Sequence, residues 1–196
     1  MIPALILILS AVVYRIAAAL LIQSGQALWL SNFAPMAAIA LCGAVYFPTR
    51  FKFTVPLGAL FISDLVLNYI YHAPLLQAQM VGHYIGLALV AVLGLMLQNR
   101  ASLKTLLPAS LAGSTIFYLV TNAFSWLSDP GYAKTFSGLI QALTVGLPQY
   151  SATPTWMFFR NTVLSDLFFT LVFVACMNLG RNTSRARAGA ALPRPA

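Results

Sequence analysis

Charged side chains are scarce in this sequence. They make up only 7% of its 196 residues, with three aspartates and no glutamate. Soluble domains carry roughly 25% charged residues, so a soluble fold of this length could not solvate its surface and is excluded. Both cysteines, Cys42 and Cys176, lie inside apolar segments. We read them as packing residues, which leaves no disulfide framework and no cysteine-based metal site.

Long apolar segments make up most of the chain. Hydrophobic residues account for 60% of it, and a helix needs roughly 20 apolar residues to cross a bilayer. The sequence therefore predicts an all-α polytopic membrane protein, a bundle of about six transmembrane helices in one domain over residues 1–180. The predicted spans are about 3–23, 34–48, 53–71, 78–97, 106–126 and 159–179. The first is not expected to be a cleaved signal, because Arg15 interrupts it and no basic region precedes it.

The basic residues predict the orientation in the membrane. Eight of the eleven fall in the two loops after spans two and four and in the C-terminal tail: Arg50, Lys52, Arg100, Lys104, Arg181, Arg185, Arg187 and Arg194. The positive-inside rule then puts both termini in the cytoplasm of a bacterial inner membrane. Because topology explains the net charge of +8, we expect the bilayer as a partner and no nucleic acid.

Two segments fall outside the predicted spans. Residues 133–150 are apolar enough for a seventh span, but a seventh span would move the tail arginines to the opposite side. We expect instead a helix that lies at the outer surface or dips partly into the membrane. Residues 181–196 combine Ala, Arg and Pro and are predicted to be a disordered basic cytoplasmic tail.

Four ionisable residues lie within the predicted spans: Arg15, Asp64, Arg160 and Asp166. Charges inside a bilayer are costly and need a partner or a cavity. With the predicted orientation, all four fall in the outer half of the membrane. Further polar or aromatic candidates share that depth, namely Asn32, Asn68, His83, Asn122, Trp126 and Tyr132. The pattern predicts a ligand-binding cavity that opens to the outside.

Structural interpretations of the same residues remain open. Arg15 and Asp64 could form an ion pair that only fixes helix packing. His83 is more typical of a packing residue than of a metal ligand, and Trp126 and Tyr132 could be interfacial anchors. We expect no cofactor, no metal and no enzymatic activity, because the sequence has no catalytic motif. The alternative function is a structural or interaction subunit of a membrane complex.

A short repeat links spans three and six. Ser63-Asp64-Leu65 and Ser165-Asp166-Leu167 are identical tripeptides. Such a repeat is consistent with a duplicated three-helix unit of the kind found in transporters. Three residues are equally consistent with chance.

An ordered series of residues also supports a family resemblance. It consists of Arg15, the run Asn32 to Ala38, Ser63-Asp64-Leu65, Thr121-Asn122, Trp126, Tyr132, Lys134-Thr135, Gly138-Leu139, Pro148, the run Phe159 to Thr162 and Asp166-Leu167-Phe168. The series covers most of residues 10–175 and resembles a family of bacterial integral membrane proteins of unknown function. That family is similar to the substrate-binding S components of energy-coupling factor vitamin transporters.

The resemblance implies a fold and a function. An S-component-like protein is a six-helix bundle that binds a vitamin or related nutrient near the outer face and helps to import it. S components usually work with a transmembrane coupling subunit and two cytoplasmic ATPases. We therefore expect a small polar nutrient as the ligand and such a coupling module as a candidate partner.

Overall fold

All regular structure in the described part of the chain, residues 2–26 and 28–190 of a computed structural model, is helical. Seven α-helices follow one another: α1 (Ile2–Gln23), α2 (Met36–Tyr46), α3 (Thr54–Ile70), α4 (Ala78–Leu97), α5 (Leu103–Ser128), α6 (Phe136–Thr144) and α7 (Thr155–Ala190). Five of the helical segments are long and apolar enough to cross a membrane. The predicted all-α membrane fold is confirmed.

The second predicted span is shorter than expected. α2 has 11 residues, which at 1.5 Å per residue is about half of the ~30 Å hydrocarbon core. Its residues from Ala37 to Val45 are all buried, so α2 is enclosed by other helices. At Gly94 of α4, an added Cβ would lie 2.6 Å from the Leu41 carbonyl oxygen. The glycine therefore lets α4 pack closely against α2.

The two basic loops lie at the same end of the bundle. The Lys52 ammonium of the α2–α3 loop donates to the Gln98 side chain, just after α4. Val174 of α7 packs in one cluster with Leu97 and Ala101 beside the α4–α5 loop, and Gly180, further along α7, lies near Pro3, so the start of α1 is at this end as well. We call this the basic end. α1, α3 and α5 end at the opposite end of the bundle, where α4 and α7 begin.

The two segments outside the predicted spans differ in helix content from what the sequence predicts. The helix within 133–150 is only α6, nine residues long, and is too short to span a membrane. It stops before Gly146, which has a left-handed φ of 75°. α7 continues through Ala190, where we expected disorder from residue 181. Alanine and arginine are strong helix formers, which favours this extension; residues 191–196 lie outside the described residues.

Candidate functional site

A partly open cavity of about 370 Å³ lies at the end of the bundle opposite the basic end. Its wall is formed by the last turns of α1, α3 and α5, the first turns of α4 and α7, and the segment before α2. Cavities that bind small molecules have volumes of about 300–1,000 Å³. The size and the mixed lining of this cavity suit a small ligand.

Arg15 is the only Arg or Lys among the described residues that line the cavity. One guanidinium nitrogen lies 2.5 Å from a carboxylate oxygen of Asp64, and the other donates to the Ser63 hydroxyl. The Arg15–Asp64 ion pair, which the sequence left open, is thus present in the structure. The pair is well shielded from water, with side-chain exposures of 11% for Arg15 and 8% for Asp64.

Asp64 lies behind Arg15 and does not itself line the cavity. Its second carboxylate oxygen accepts a hydrogen bond of 2.6 Å from the Tyr84 hydroxyl. Both oxygens thus already have a protein donor. Two partners hold Asp64 in place, and Asp64 in turn fixes the guanidinium at the cavity wall.

The remaining wall is mixed in character. Its polar side chains are neutral hydrogen-bonding groups: Asn32, Thr121, Asn122, Ser125, Thr155 and Thr162. Its aromatic side chains are Phe33, Tyr71, Phe117, Tyr118, Phe158 and Phe159. A ligand here would find both apolar surface and hydrogen-bonding groups that fix its orientation, the usual composition of a small-molecule site.

His83 lines the cavity close to the ion pair. Its ring lies 5.8 Å from the ring of Phe117, centroid to centroid. As a wall residue, the imidazole is placed to contact a ligand in the cavity. Within residues 2–26 and 28–190, no group of three or more His, Cys, Asp or Glu side chains could hold a metal ion.

A second, smaller chamber of about 200 Å³ adjoins the cavity. The two share Asn122, Thr155 and Phe158 as wall residues. Tyr132 lines the smaller chamber, as do residues 145–147 after α6. Burial raises the pKa of the Tyr132 phenol, which lies outside the membrane-spanning helices, and the nearby Asp129 raises it further. A neutral phenol is thereby favoured at this position.

Besides Asp64, four of the predicted site residues line neither the cavity nor the smaller chamber: Asp166, Asn68, Trp126 and Arg160. Asp166 is completely buried and accepts hydrogen bonds from the Ala38 backbone N–H at 2.9 Å and the Ser114 hydroxyl at 2.8 Å. It therefore supplies an acceptor to the first turn of α2, whose amides have no partner within the helix. Asp166 thus contacts the start of α2 and does not line the cavity.

The other three make local contacts. The Asn68 side-chain amide donates to the Leu75 carbonyl, which links the end of α3 to the turn between α3 and α4. The Trp126 indole donates to the Ala133 carbonyl at 2.9 Å, which ties the segment after α5 to that helix. Arg160 is exposed and contacts Asn161. None of these three residues lines the cavity.

Several lining residues were missed from the sequence. On α5, Tyr118, Thr121, Asn122 and Ser125 recur at spacings of three or four and share one helix face. This polar stripe is visible in the sequence and indicates a face turned to a cavity, although only Asn122 is among the predicted site residues. Phe117, Phe158 and Phe159 carried no such signal, because phenylalanine in a membrane helix is equally typical of lipid contact.

Comparison with known proteins gives one match. A family model described as "Family of unknown function (DUF6580)" matches residues 1–188. The chain belongs to this family. Searches of curated proteins and of solved structures find no significant match. The expected membership of a family of unknown function is thus confirmed, and the similarity to S components stays a prediction.

Proposed function

We propose that this protein binds a small polar, vitamin-like nutrient in the 370 Å³ cavity and helps to import it across a bacterial inner membrane. The observation that carries the proposal is the cavity itself, with a buried arginine held in its wall by Asp64 and Tyr84. An ionisable residue inside a membrane protein is by default a candidate for function. Here that residue faces open space.

The distribution of charge supports an outward-facing cavity. The basic loops meet through Lys52 and Gln98 at the end remote from the cavity. The positive-inside rule assigns that end to the cytoplasm, so the cavity would open to the periplasm and both termini would be cytoplasmic. A nutrient arriving from outside would then reach its site without crossing the bundle.

The segment between α5 and α7 would act as a lid. It includes α6, and its residues Tyr132 and Gly146 line the smaller chamber that joins the cavity. The Tyr118 hydroxyl of α5 donates to the Leu143 carbonyl, so one contact links the cavity wall to the segment. Movement of this segment would open a path from outside to the ligand site.

We propose binding without catalysis. None of the described lining residues is Asp, Glu, Cys or Lys, so the wall offers neither paired carboxylates nor an activated thiol or amine. For import, the proposed partner is a transmembrane coupling subunit with ATPases, as the resemblance to S components implies. The alternative, a structural subunit, is supported by the Arg15–Asp64–Tyr84 network, in which both Asp64 oxygens already have a protein donor.

A thermal-shift experiment tests the proposal. The purified protein in detergent is exposed to vitamins, vitamin precursors and small metabolites, and its melting temperature is recorded. A ligand at about 100-fold its dissociation constant stabilises the folded state by roughly 2.7 kcal/mol. We expect a saturable rise in Tm for at least one compound.

A matched pair of variants locates the binding. Ser125 lines the cavity, whereas Ser128, on the same helix, is exposed and lies outside it. Ser125→Trp should fill the cavity and abolish the shift, and Ser128→Trp should leave it intact. A flat response of the folded protein across the whole panel, or a shift that survives Ser125→Trp, would favour the structural alternative.

A further inference from the structure

The charges at the cavity wall discriminate between ligand classes. The described lining residues include one permanent cation, Arg15, and one imidazole, His83, but no carboxylate. Arginine carries five N–H donors and no acceptor. Since the bonds to Ser63 and Asp64 use one hydrogen on each of two nitrogens, this cavity-lining side chain keeps further donors for a ligand.

Asp64 would not serve a cationic ligand. Its two oxygens accept from Arg15 and Tyr84 and lie behind the guanidinium. A ligand ammonium group would have to displace one of these donors and would also meet the positive charge of Arg15 first. The wall therefore disfavours a cation and offers its charged donor to an anion, in a water-poor setting where such hydrogen bonds are strong.

The aromatic part of the wall indicates the shape of the ligand. The Phe117 ring adjoins His83, and the rings of Tyr118 and Phe159 lie 4.5 Å apart, centroid to centroid. Phe158 extends the apolar surface to the junction with the smaller chamber. Aromatic rings favour edge or offset contacts with other rings. A planar ring would gain these contacts, whereas a saturated ring of equal size would gain only burial.

We propose, building on the proposed binding function, that the ligand is a small planar acid, an aromatic or heteroaromatic monocarboxylate. Its carboxylate contacts Arg15, next to His83, and its ring lies among the phenylalanine side chains of α5 and α7. Neutral donors and acceptors such as Asn122 and Thr121 then select among acids by their ring substituents.

Two sets of probes, one that varies the charge of the substituent and one that varies the planarity of the ring, test the inference. Nicotinate, nicotinamide and 3-(aminomethyl)pyridine present the same ring with an anionic, a neutral and a cationic substituent. Benzoate and cyclohexanecarboxylate compare a planar with a saturated acid. Binding to the full-length protein in detergent is measured by calorimetry and thermal shift. We expect an aromatic acid to bind at least about tenfold more tightly than its amide, and the amine not to bind.

Variants identify the side chain responsible. Arg15→Gln combined with Asp64→Asn removes both charges together, so no unpaired buried charge is left to unfold the protein. This double variant should bind the acid no better than the amide. Arg160→Gln is the matched control, since Arg160 is exposed at the same end of the bundle but does not line the cavity. It should keep the full preference for the acid.

The outcomes separate this inference from the proposed function. Equal or tighter binding of the amide or amine, blocked by Ser125→Trp, overturns the anionic ligand and leaves the binding function standing. Failure of both aromatic acids to bind overturns the inference even if another compound in the wider panel shifts Tm. A preference for the acid that persists in the charge-free double variant also overturns it.

Discussion

Two identical tripeptides, Ser63-Asp64-Leu65 on α3 and Ser165-Asp166-Leu167 on α7, end in different environments. Asp64 pairs with a cation at a cavity wall and is held by Tyr84 from the other side. Asp166 has no cationic partner among the described residues and accepts from the Ala38 backbone N–H and the Ser114 hydroxyl. The first aspartate orients a group that a ligand can reach, and the second holds the start of a buried helix.

The difference lies in what each aspartate faces. α1 brings Arg15 to Asp64, whereas the first turn of α2 brings unpaired backbone amides to Asp166. Helix amides at an N-terminus carry partial positive charge, so they can satisfy a carboxylate without any basic side chain. An intramembrane aspartate is therefore evidence of a compensating group, and the nature of that group decides whether a ligand site results.

The largest expected effect comes from removing the cation. Arg15→Ala leaves Asp64 buried with only Tyr84 as a partner. Breaking a buried ion pair on one side costs about 3–5 kcal/mol, so we expect a large loss of stability together with loss of ligand binding. Denaturation in detergent and thermal shift measure the two effects.

The double variant Arg15→Gln with Asp64→Asn is the control for that loss. If the cost of Arg15→Ala comes from an uncompensated charge, neutralising both partners should recover most of the stability. Binding of an acid should remain impaired, because the charged donor is gone. Unchanged stability in Arg15→Ala itself would show that the pair contributes little and would contradict this account of Asp64.

A smaller effect is expected at Asp166. Asp166→Ala removes two hydrogen bonds and leaves the Ala38 amide and the Ser114 hydroxyl without their partner. Hydrogen bonds to charged groups are worth about 1.5–3 kcal/mol each and are not fully additive, so the expected loss is roughly 2–4 kcal/mol.

The control at this position is Asp166→Asn, which keeps an acceptor and should lose less stability than Asp166→Ala. Both variants should bind a ligand with the wild-type affinity once folded, because Asp166 does not line the cavity. A specific loss of affinity in the well-folded Asn variant would return Asp166 to the ligand site. Titration calorimetry on the folded fraction distinguishes the two cases.

The position of these polar residues along the bundle could be predicted from this sequence, but the direction in which each side chain points could not. The polar residues do concentrate toward one end, and Arg15, Asn32, His83 and Asn122 do line one cavity there. Asp166 and Asn68 have similar predicted depths yet face the interior or a turn. Rotation about a helix axis depends on neighbours that are distant in sequence, and one apolar sequence leaves those neighbours undetermined.

The helix lengths, too, could be predicted only in part from the sequence. The five long helices were readable from hydropathy and length alone. α2 was overestimated because its run of Ala, Leu and Val is equally suited to a membrane span and to a buried core. Only the surrounding helices, with Gly94 packed against Leu41, distinguish the two.

The smallest expected effect concerns Tyr84, the second donor to Asp64. Tyr84→Phe removes one hydrogen bond of 2.6 Å and keeps the ring in place. Because Arg15 still neutralises the carboxylate, the cost should fall at the low end for a charged acceptor, about 1.5 kcal/mol of unfolding free energy.

If Tyr84 also restrains the pair so that Arg15 faces the cavity, affinity for an aromatic acid should fall as well, since the freed Asp64 oxygen can draw the guanidinium away. The loss of a hydrogen bond at Asp166 should lower stability without lowering affinity. At Tyr84, stability and affinity should both fall. Calorimetry with benzoate on Tyr84→Phe and Asp166→Asn, side by side, tests this; equal affinities in the two variants would mean that Tyr84 supports only the fold.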